Sequence, residues 1–166
     1  MTRDALLPAE IVALARRVVE GNAAIGRTLA VAESCTGGLV AAALTEIPGS
    51  SAVLDRGFVT YSNSAKIAGL GVSEDIIDAF GAVSIACVYA MAQGALDRSD
   101  ADVAVAISGV AGPGGGTEHK PVGTVVFARA VRGAERLDAE TRLFEESSRA
   151  GVRFQAALCA LELLLP

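Results

Sequence analysis

The sequence predicts a three-layer α/β/α fold around a mixed, mostly parallel sheet with one antiparallel hairpin. Three observations lead there. Short apolar runs of strand length alternate with amphipathic stretches of helical length through most of the chain. Gly, Pro and Ser cluster between them. Late in the chain two strand-like segments are separated by little more than a turn at Gly133. The 166 residues are 52% hydrophobic with mean hydropathy +0.47, which excludes disorder and fits one domain over 1–166.

The elements follow in order. Pro8 opens a first helix with the stripe Ile11, Leu14, Val18 and Val19, and Gly21 fits its C-terminal cap. Glu10, Arg16, Arg17 and Glu20 interrupt its apolar residues, as in an amphipathic helix and not in a signal peptide. Thr28–Ala32 reads as a short buried strand running into Glu33-Ser34-Cys35-Thr36-Gly37-Gly38. A helix from about Gly38 to Ile47 ends at Pro48-Gly49-Ser50. Gly57–Ser62 reads as a second strand, and Asn63–Lys66 opens a short helical turn. Ser73 caps a helix over about 74–80 that stops at Gly81, and Ser84 caps a longer one to about Arg98. Asp102–Ile107 is a third strand, followed by the glycine-rich loop Ser108–Thr117. Thr124–Val131 and Arg136–Leu143 form the hairpin. The second strand alternates strictly, with Leu137, Ala139, Thr141 and Leu143 on a face expected to be buried. Ser147 or Ser148 caps a last helix with a core stripe of Phe154, Leu158, Leu161 and Leu165.

Charge and composition narrow the function. A net charge of −5 argues against nucleic acid and anionic membrane as partners. No run approaches the roughly 20 apolar residues of a membrane span. Cys35, Cys87 and Cys159 form no disulfide framework, which points to the cytoplasm, and one His leaves little from which to build a metal site. Of the 14 basic residues only Lys66 and Lys120 are lysine.

Four segments can hold chemistry. In the first, Ser34 lies where a strand end, a polar turn and a helix start meet. Helix N–H groups favour negative charge, so a hydroxyl there could attack a carbonyl and have its oxyanion held; equally, Ser34 and Thr36 could be caps. In the second, Tyr61-Ser62-Asn63-Ser64-Ala65-Lys66, a desolvated lysine has a lowered pKa and can act as a base; an exposed lysine on a short helix is the plainer reading. The third is Gly109-Val110-Ala111-Gly112-Pro113-Gly114-Gly115-Gly116-Thr117. It has neither Walker nor dinucleotide spacing, but it can form an anion nest after a buried strand; a surface loop is the alternative. In the fourth, Arg149 and Arg153 repel each other on one helical face, and a bound phosphate would relieve that, as would Glu145 and Glu146. Cys35 lacks a His partner and reads as a packing or backbone-contact residue.

Together these segments resemble the CinA C-terminal domain family, the nicotinamide-nucleotide amidohydrolases. The resemblance rests on Ala30–Gly38, Tyr61–Lys66 with Leu70–Val72, Gly81–Ser84, and Ser108–Thr117 with Lys120–Thr124. It implies a fold of three α/β/α layers and metal-free, cofactor-free hydrolysis of nicotinamide mononucleotide to nicotinate mononucleotide and ammonia. It implies Ser34 as nucleophile, Lys66 as base with Tyr61 nearby, and Arg149 near the start of the last helix. With the segments above, the expected binding residues are Cys35, Thr36, Gly37, Gly38, Asn63, Gly112, Pro113, Gly114, Gly115 and Arg149, with Arg153 as the other candidate for the phosphate. Backbone N–H groups around Thr36 and Gly37 are expected to hold the oxyanion. Residues 144–149 depart from the family pattern, one residue longer and lacking its Gly-Asp. Two-domain members carry an extra N-terminal domain for which this chain has no room. The expected partner is a small nucleotide substrate, and a homo-oligomer is expected from the apolar, Ala-rich composition. A nucleotide-binding regulatory module, or an amidohydrolase for another amide, is the alternative.

Overall fold

The computed structural model describes residues 4–136, 138–146 and 148–166. Five strands, β1 (Leu29–Glu33), β2 (Leu54–Val59), β3 (Val103–Gly109), β4 (Thr124–Val131) and β5 (Asp138–Leu143), form one sheet in the order β2-β1-β3-β4-β5. β1 is parallel to both β2 and β3. β4 is antiparallel to both β3 and β5. The expected hairpin is β4–β5, and β3 adds a second antiparallel pair with β4. Residues 110–123 contain no helix, and a return to a parallel neighbour needs a crossover, usually helical.

Among the described residues six α-helices cover the sheet: α1 (Ala9–Ala24), α2 (Leu39–Thr45), α3 (Asn63–Leu70), α4 (Glu74–Phe80), α5 (Ile85–Asp97) and α6 (Arg149–Leu163). α1, α2 and α6 pack on one face, and α3, α4 and α5 on the other. Strand alternation makes the faces unequal. Toward α1, α2 and α6 the sheet sends Leu29, Val31, Val103, Val105, Ile107, Val125 and Phe127. Toward α3 to α5 it sends Ala30, Ala32, Ala104, Ala106, Ala128 and Ala130, with Val126. Each fully buried large side chain is worth about 1.5–3 kcal/mol. The alanines give far less but let α5 lie close against β3 and β4.

Four local expectations are corrected. Gly21 lies inside α1, which is capped at Ile25; a Cβ at Gly21 would come within 2.9 Å of Pro166, so the glycine makes room for the C-terminus. The second strand starts and stops three residues earlier than expected, because it is an exposed edge where the apolar signal is weak. β5 is also an edge. Thr141 and Leu143 are exposed, and only Ala139 packs on the core; Leu137 lies outside the described residues. In α6 the buried stripe is Val152, Ala156, Ala157, Cys159, Ala160 and Leu161, while Phe154, Leu158 and Leu165 are half-buried, because the smaller residues allow closer docking. Ser148 caps this helix, its Oγ accepting from the Gly151 N–H; Ser147 lies outside the described residues. No helix among the described residues is long and apolar enough to cross a membrane.

The strand order places the candidate segments. β1 leaves its C-terminal end through α2 toward β2 on one side. β3, on the other side of β1, leaves toward β4. The chain diverges between them, where open α/β sheets bind ligands. Ser34 follows β1, and the glycine loop follows β3.

Candidate active site

The turn after β1 is tightly bonded. The Ser34 N–H donates to the Ile107 carbonyl at 2.9 Å, and the Gly37 N–H returns to the Ser34 carbonyl at 3.0 Å. Gly37 (φ +61°) and Gly38 (φ +97°) take left-handed conformations that suit glycine, which folds the turn so that α2 starts at Leu39. The fully buried Glu33 carboxylate accepts from the N–H groups of Val40 (2.9 Å) and Ala41 (3.1 Å). Arg153 holds the other side, donating from Nε to the Cys35 carbonyl and from Nη2 to the Thr36 carbonyl.

This corrects one expectation. The positive end of α2 is matched by the chain's own Glu33, and the Gly37 N–H closes the turn, so neither is free for an oxyanion. The N–H groups of Cys35 and Thr36 make no backbone–backbone bond among the described residues. They follow Ser34 directly, as the donor of a nucleophile turn should.

Lys66 comes from the other layer. The Ser62 Oγ caps α3 by accepting from the Ala65 N–H at 3.0 Å. α3 docks tightly because Gly94 of α5 sits on the Leu70 carbonyl, where any Cβ would overlap it. Lys66 is 1% exposed and forms no ion pair among the described residues. Its Nζ lies 2.9 Å from the Ser34 Oγ, 2.8 Å from the Thr60 carbonyl and 3.0 Å from the Tyr61 carbonyl. Burial holds its pKa below the ordinary lysine value, only partly opposed by Cys87 and Cys35. A neutral amine has two N–H groups and a lone pair. When the amine is neutral, the two carbonyls, which can only accept, take its N–H groups and leave the lone pair for the Ser34 hydroxyl. Burial pushes the Cys35 thiol up to about 11, so it is not a thiolate near neutral pH.

A family model described as the CinA C-terminal domain matches residues 11–166. The chain belongs to the CinA C-terminal domain family. Among its relatives, the nicotinamide-nucleotide amidohydrolase PncC of Escherichia coli K12 is 49% identical over 155 residues, covering 93% of both chains. A putative competence-damage inducible protein of Symbiobacterium thermophilum is 55% identical over 145 residues, covering 84% of this chain but 34% of its own length. Two CinA-like proteins are covered over 26% and 34% of their lengths, so the chain spans about a third or less of these longer relatives. The crystal structure of a competence/damage inducible protein of Agrobacterium tumefaciens superposes with a TM-score of 0.92 at 47% identity, covering 99% of this chain and 97% of that one.

In this CinA domain a cavity of about 280 Å³ opens at the divide between β1 and β3. Ser34, Cys35, Tyr61, Asn63, Lys66, Gly112, Gly114, Gly115 and Arg149, all expected from the sequence, line it together. Thr36, Gly37, Gly38 and Pro113 do not. Thr36 is fully buried with its hydroxyl unpartnered, Gly37 faces Arg153, Gly38 faces Val59, and Pro113 is exposed after a cis peptide bond. The Tyr61 phenol accepts from Arg149 Nη2 at 2.8 Å at the rim, so it is the Tyr61 carbonyl, not the hydroxyl, that meets the Ser34–Lys66 pair. Arg149 also donates to the Gly112 carbonyl at 2.7 Å, joining the glycine loop to α6. Of the two arginines, Arg149 faces the cavity and Arg153 holds the serine turn from behind. The loop N–H groups of Ala111, Gly112, Gly114, Gly115 and Gly116 have no partner among the described residues.

Several contributors lie within the motif segments read from the sequence, which gave them no role in the site. Ser108, Ala82 and Val83 line the cavity, Glu33 caps α2, and Lys120 donates to the Phe80 carbonyl at 2.7 Å, tying the glycine loop to the wall at 81–83. Signals existed for two of them: Ser108 breaks an alternating alanine row, and Glu33 is a charge at the end of an otherwise apolar strand. No group of three or more His, Cys, Asp or Glu side chains among the described residues is placed to hold a metal ion.

Proposed function

We propose that this protein hydrolyses the carboxamide of nicotinamide mononucleotide, giving nicotinate mononucleotide and ammonia. The observation behind the proposal is Lys66, buried with no ion-pair partner among the described residues, its Nζ on two carbonyls and the Ser34 hydroxyl. A structural lysine has no reason to accept that desolvation. The amidohydrolase named among the relatives, covered over 93% of its length, supports the choice of substrate.

Ser34 Oγ attacks the carboxamide carbon while its proton passes to Lys66 Nζ. The carbonyl electrons move to oxygen, which faces the N–H group of Cys35 at the cavity wall. The carbonyl then re-forms, the C–N bond breaks, and the departing nitrogen takes the proton from Lys66 to leave as ammonia. Water, giving one proton to Lys66, splits the Ser34 ester; Ser34 recovers that proton from Lys66, and the carboxylic acid leaves and ionises by releasing its remaining proton to solvent. The free N–H groups of the glycine loop and Arg149 receive the phosphate. The scheme uses no metal or organic cofactor.

The enzyme is proposed to be a cytoplasmic, single-domain homo-oligomer, in keeping with its three free cysteines and its exposed Leu6, Ile25, Phe80 and Leu143. A module that only binds nucleotide leaves the lysine unexplained. Ammonia release from nicotinamide mononucleotide tests the proposal. Ser34→Ala and Lys66→Met are expected to lose on the order of 10⁴-fold or more in kcat while binding substrate. Full activity in Ser34→Ala ends the proposal.

A further inference from the structure

The alanine face of the sheet ends in two serines. On β1 the row is Ala30, Ala32 and then Ser34; on β3 it is Ala104, Ala106 and then Ser108. The strands are in register, Ala30 opposite Ala104 and Ala32 opposite Ala106, and the Ser34 N–H continues the ladder to Ile107. Successive residues alternate faces, so Ser34 and Ser108 point to the same side. Neighbouring strands lie about 4.8 Å apart, which makes the two residues direct neighbours. Both line the cavity that contains Lys66. Ser108 is 2% exposed, yet its hydroxyl bonds no described residue. It is also absent from the side-chain polar atoms that are wholly shut off without a partner, which are Thr36 Oγ1 and Thr60 Oγ1. The Ser108 hydroxyl therefore opens into the cavity beside the attacking serine.

We infer that Ser108 reads the amide nitrogen of the substrate: its hydroxyl oxygen accepts an N–H bond from the carboxamide that Ser34 attacks. This rests on the amidohydrolase reading above. A carboxamide is planar, with oxygen on one side of the carbon and nitrogen on the other. Its oxygen is drawn to the N–H group of Cys35, which lines the cavity on the turn that leaves β1 toward β2. Its nitrogen then falls on the β3 side, where Ser108 stands. Ser34, by contrast, is engaged with Lys66. A site built to bond a substrate N–H discriminates strongly against analogues that lack it. Ser108 thus positions the amide and sets the preference for it over an ester.

Two substitutions of nearly equal volume isolate the hydroxyl, Ser108→Thr and Ser108→Val. kcat/KM is measured for each on nicotinamide mononucleotide and on the methyl ester of nicotinate mononucleotide, which has no N–H at that position. The expected result is at least a tenfold lower amide kcat/KM for the valine variant than for the threonine variant, with the two within about threefold on the ester. Equal amide rates for the two variants overturn the inference, and so does an equal loss on amide and ester. If either variant fails to fold, Ser108→Ala against wild type gives the same amide-to-ester ratio. Wild-type turnover of the amide is read in the same experiment, so failure of the amidohydrolase reading shows there and is distinct from failure of the serine assignment.

Discussion

Two loops meet at the cavity, and they are built on opposite rules. In the turn after β1 most backbone groups are matched within the protein, the N–H groups of Cys35 and Thr36 excepted. Glu33 takes the first N–H groups of α2, the Gly37 N–H returns to Ser34, and Arg153 holds two carbonyls. The loop after β3 is fixed at its ends and at a few points, by Val110 with Thr124 and Gly123, by the Thr117–Lys120 turn and by Arg149 on Gly112. Between those points its N–H groups are unpartnered among the described residues. The contrast assigns the roles. An attacking oxygen must be held to a fraction of an ångström, which favours a turn with every neighbour determined. An anion must be met by donors that are still available, which favours a loop with few bonds of its own.

The largest effect falls on the fixed side and is visible in pH. Lys66 acts as a base only when neutral, and burial lowers its pKa. Below that pKa the lysine is protonated, so log kcat/KM is expected to rise with unit slope as pH increases and to level off below the ordinary lysine value, which is about 10.4. Lys66→Arg, which stays charged, is expected to abolish the rate across the range. A flat profile in the wild type would remove Lys66 from the role of base.

The two arginines give the next contrast, because they lie one helical turn apart and serve different loops. Arg149→Met removes a cation from the cavity wall and frees Gly112 and Tyr61. Its KM for the mononucleotide is expected to rise roughly 30-fold or more, as charge-assisted bonds are the strong ones, with kcat changed far less. Arg153→Met loosens the Ser34 turn without touching the cavity, so kcat is expected to fall several-fold with KM nearly constant. Steady-state kinetics of the pair decides this, and identical changes in the two variants would erase the distinction between the loops.

Much of this was legible in the sequence, and what was not has physical causes. The buried strands β1, β3 and β4 were readable because helices cover both faces and most positions are apolar, Glu33, Ser108, Thr124 and Arg129 being the polar exceptions. At the edges, β2 was misplaced and the buried face of β5 misjudged, because four of the six residues in each strand are exposed and carry no core signal. Ser34 and Lys66, 32 residues apart, could be paired only through a family resemblance, since no periodicity along the chain joins a turn after a strand to the first turn of a helix in another layer. The choice between Arg149 and Arg153 was unreadable, because both occupy one helical face and the docking angle of α6 decides which reaches the cavity. Glu33 was passed over because a lone carboxylate in an apolar strand declares no partner until α2 is placed above it.

Glu33 tests the fixed turn through stability. Glu33→Gln keeps one acceptor but turns an NH₂ toward the Val40 or Ala41 N–H, leaving a buried donor unmatched. That costs about 1–3 kcal/mol, or roughly 2–12 °C in Tm for a chain of this size. Thermal denaturation measures it, and kcat is expected to fall with it because Ser34 is the next residue. A Tm within 1 °C of wild type would show that the carboxylate is not what holds the turn.

The smallest effect is expected at Lys120, on the loop side. Its Nζ bonds the Phe80 carbonyl at the C-terminal end of α4, where a cation also meets the negative end of the helix dipole. The next residues, Ala82 and Val83, form the cavity wall opposite the glycine loop. The bond therefore sets the spacing between two walls and touches no reacting atom. Lys120→Met is expected to raise KM about threefold, leaving kcat and Tm close to wild type, and Lys120→Arg is expected to restore most of the loss because the guanidinium can reach the same carbonyl. A change in kcat instead of KM would mean that the glycine loop also steers the attack on the carboxamide, and the division of labour between the two loops would fail.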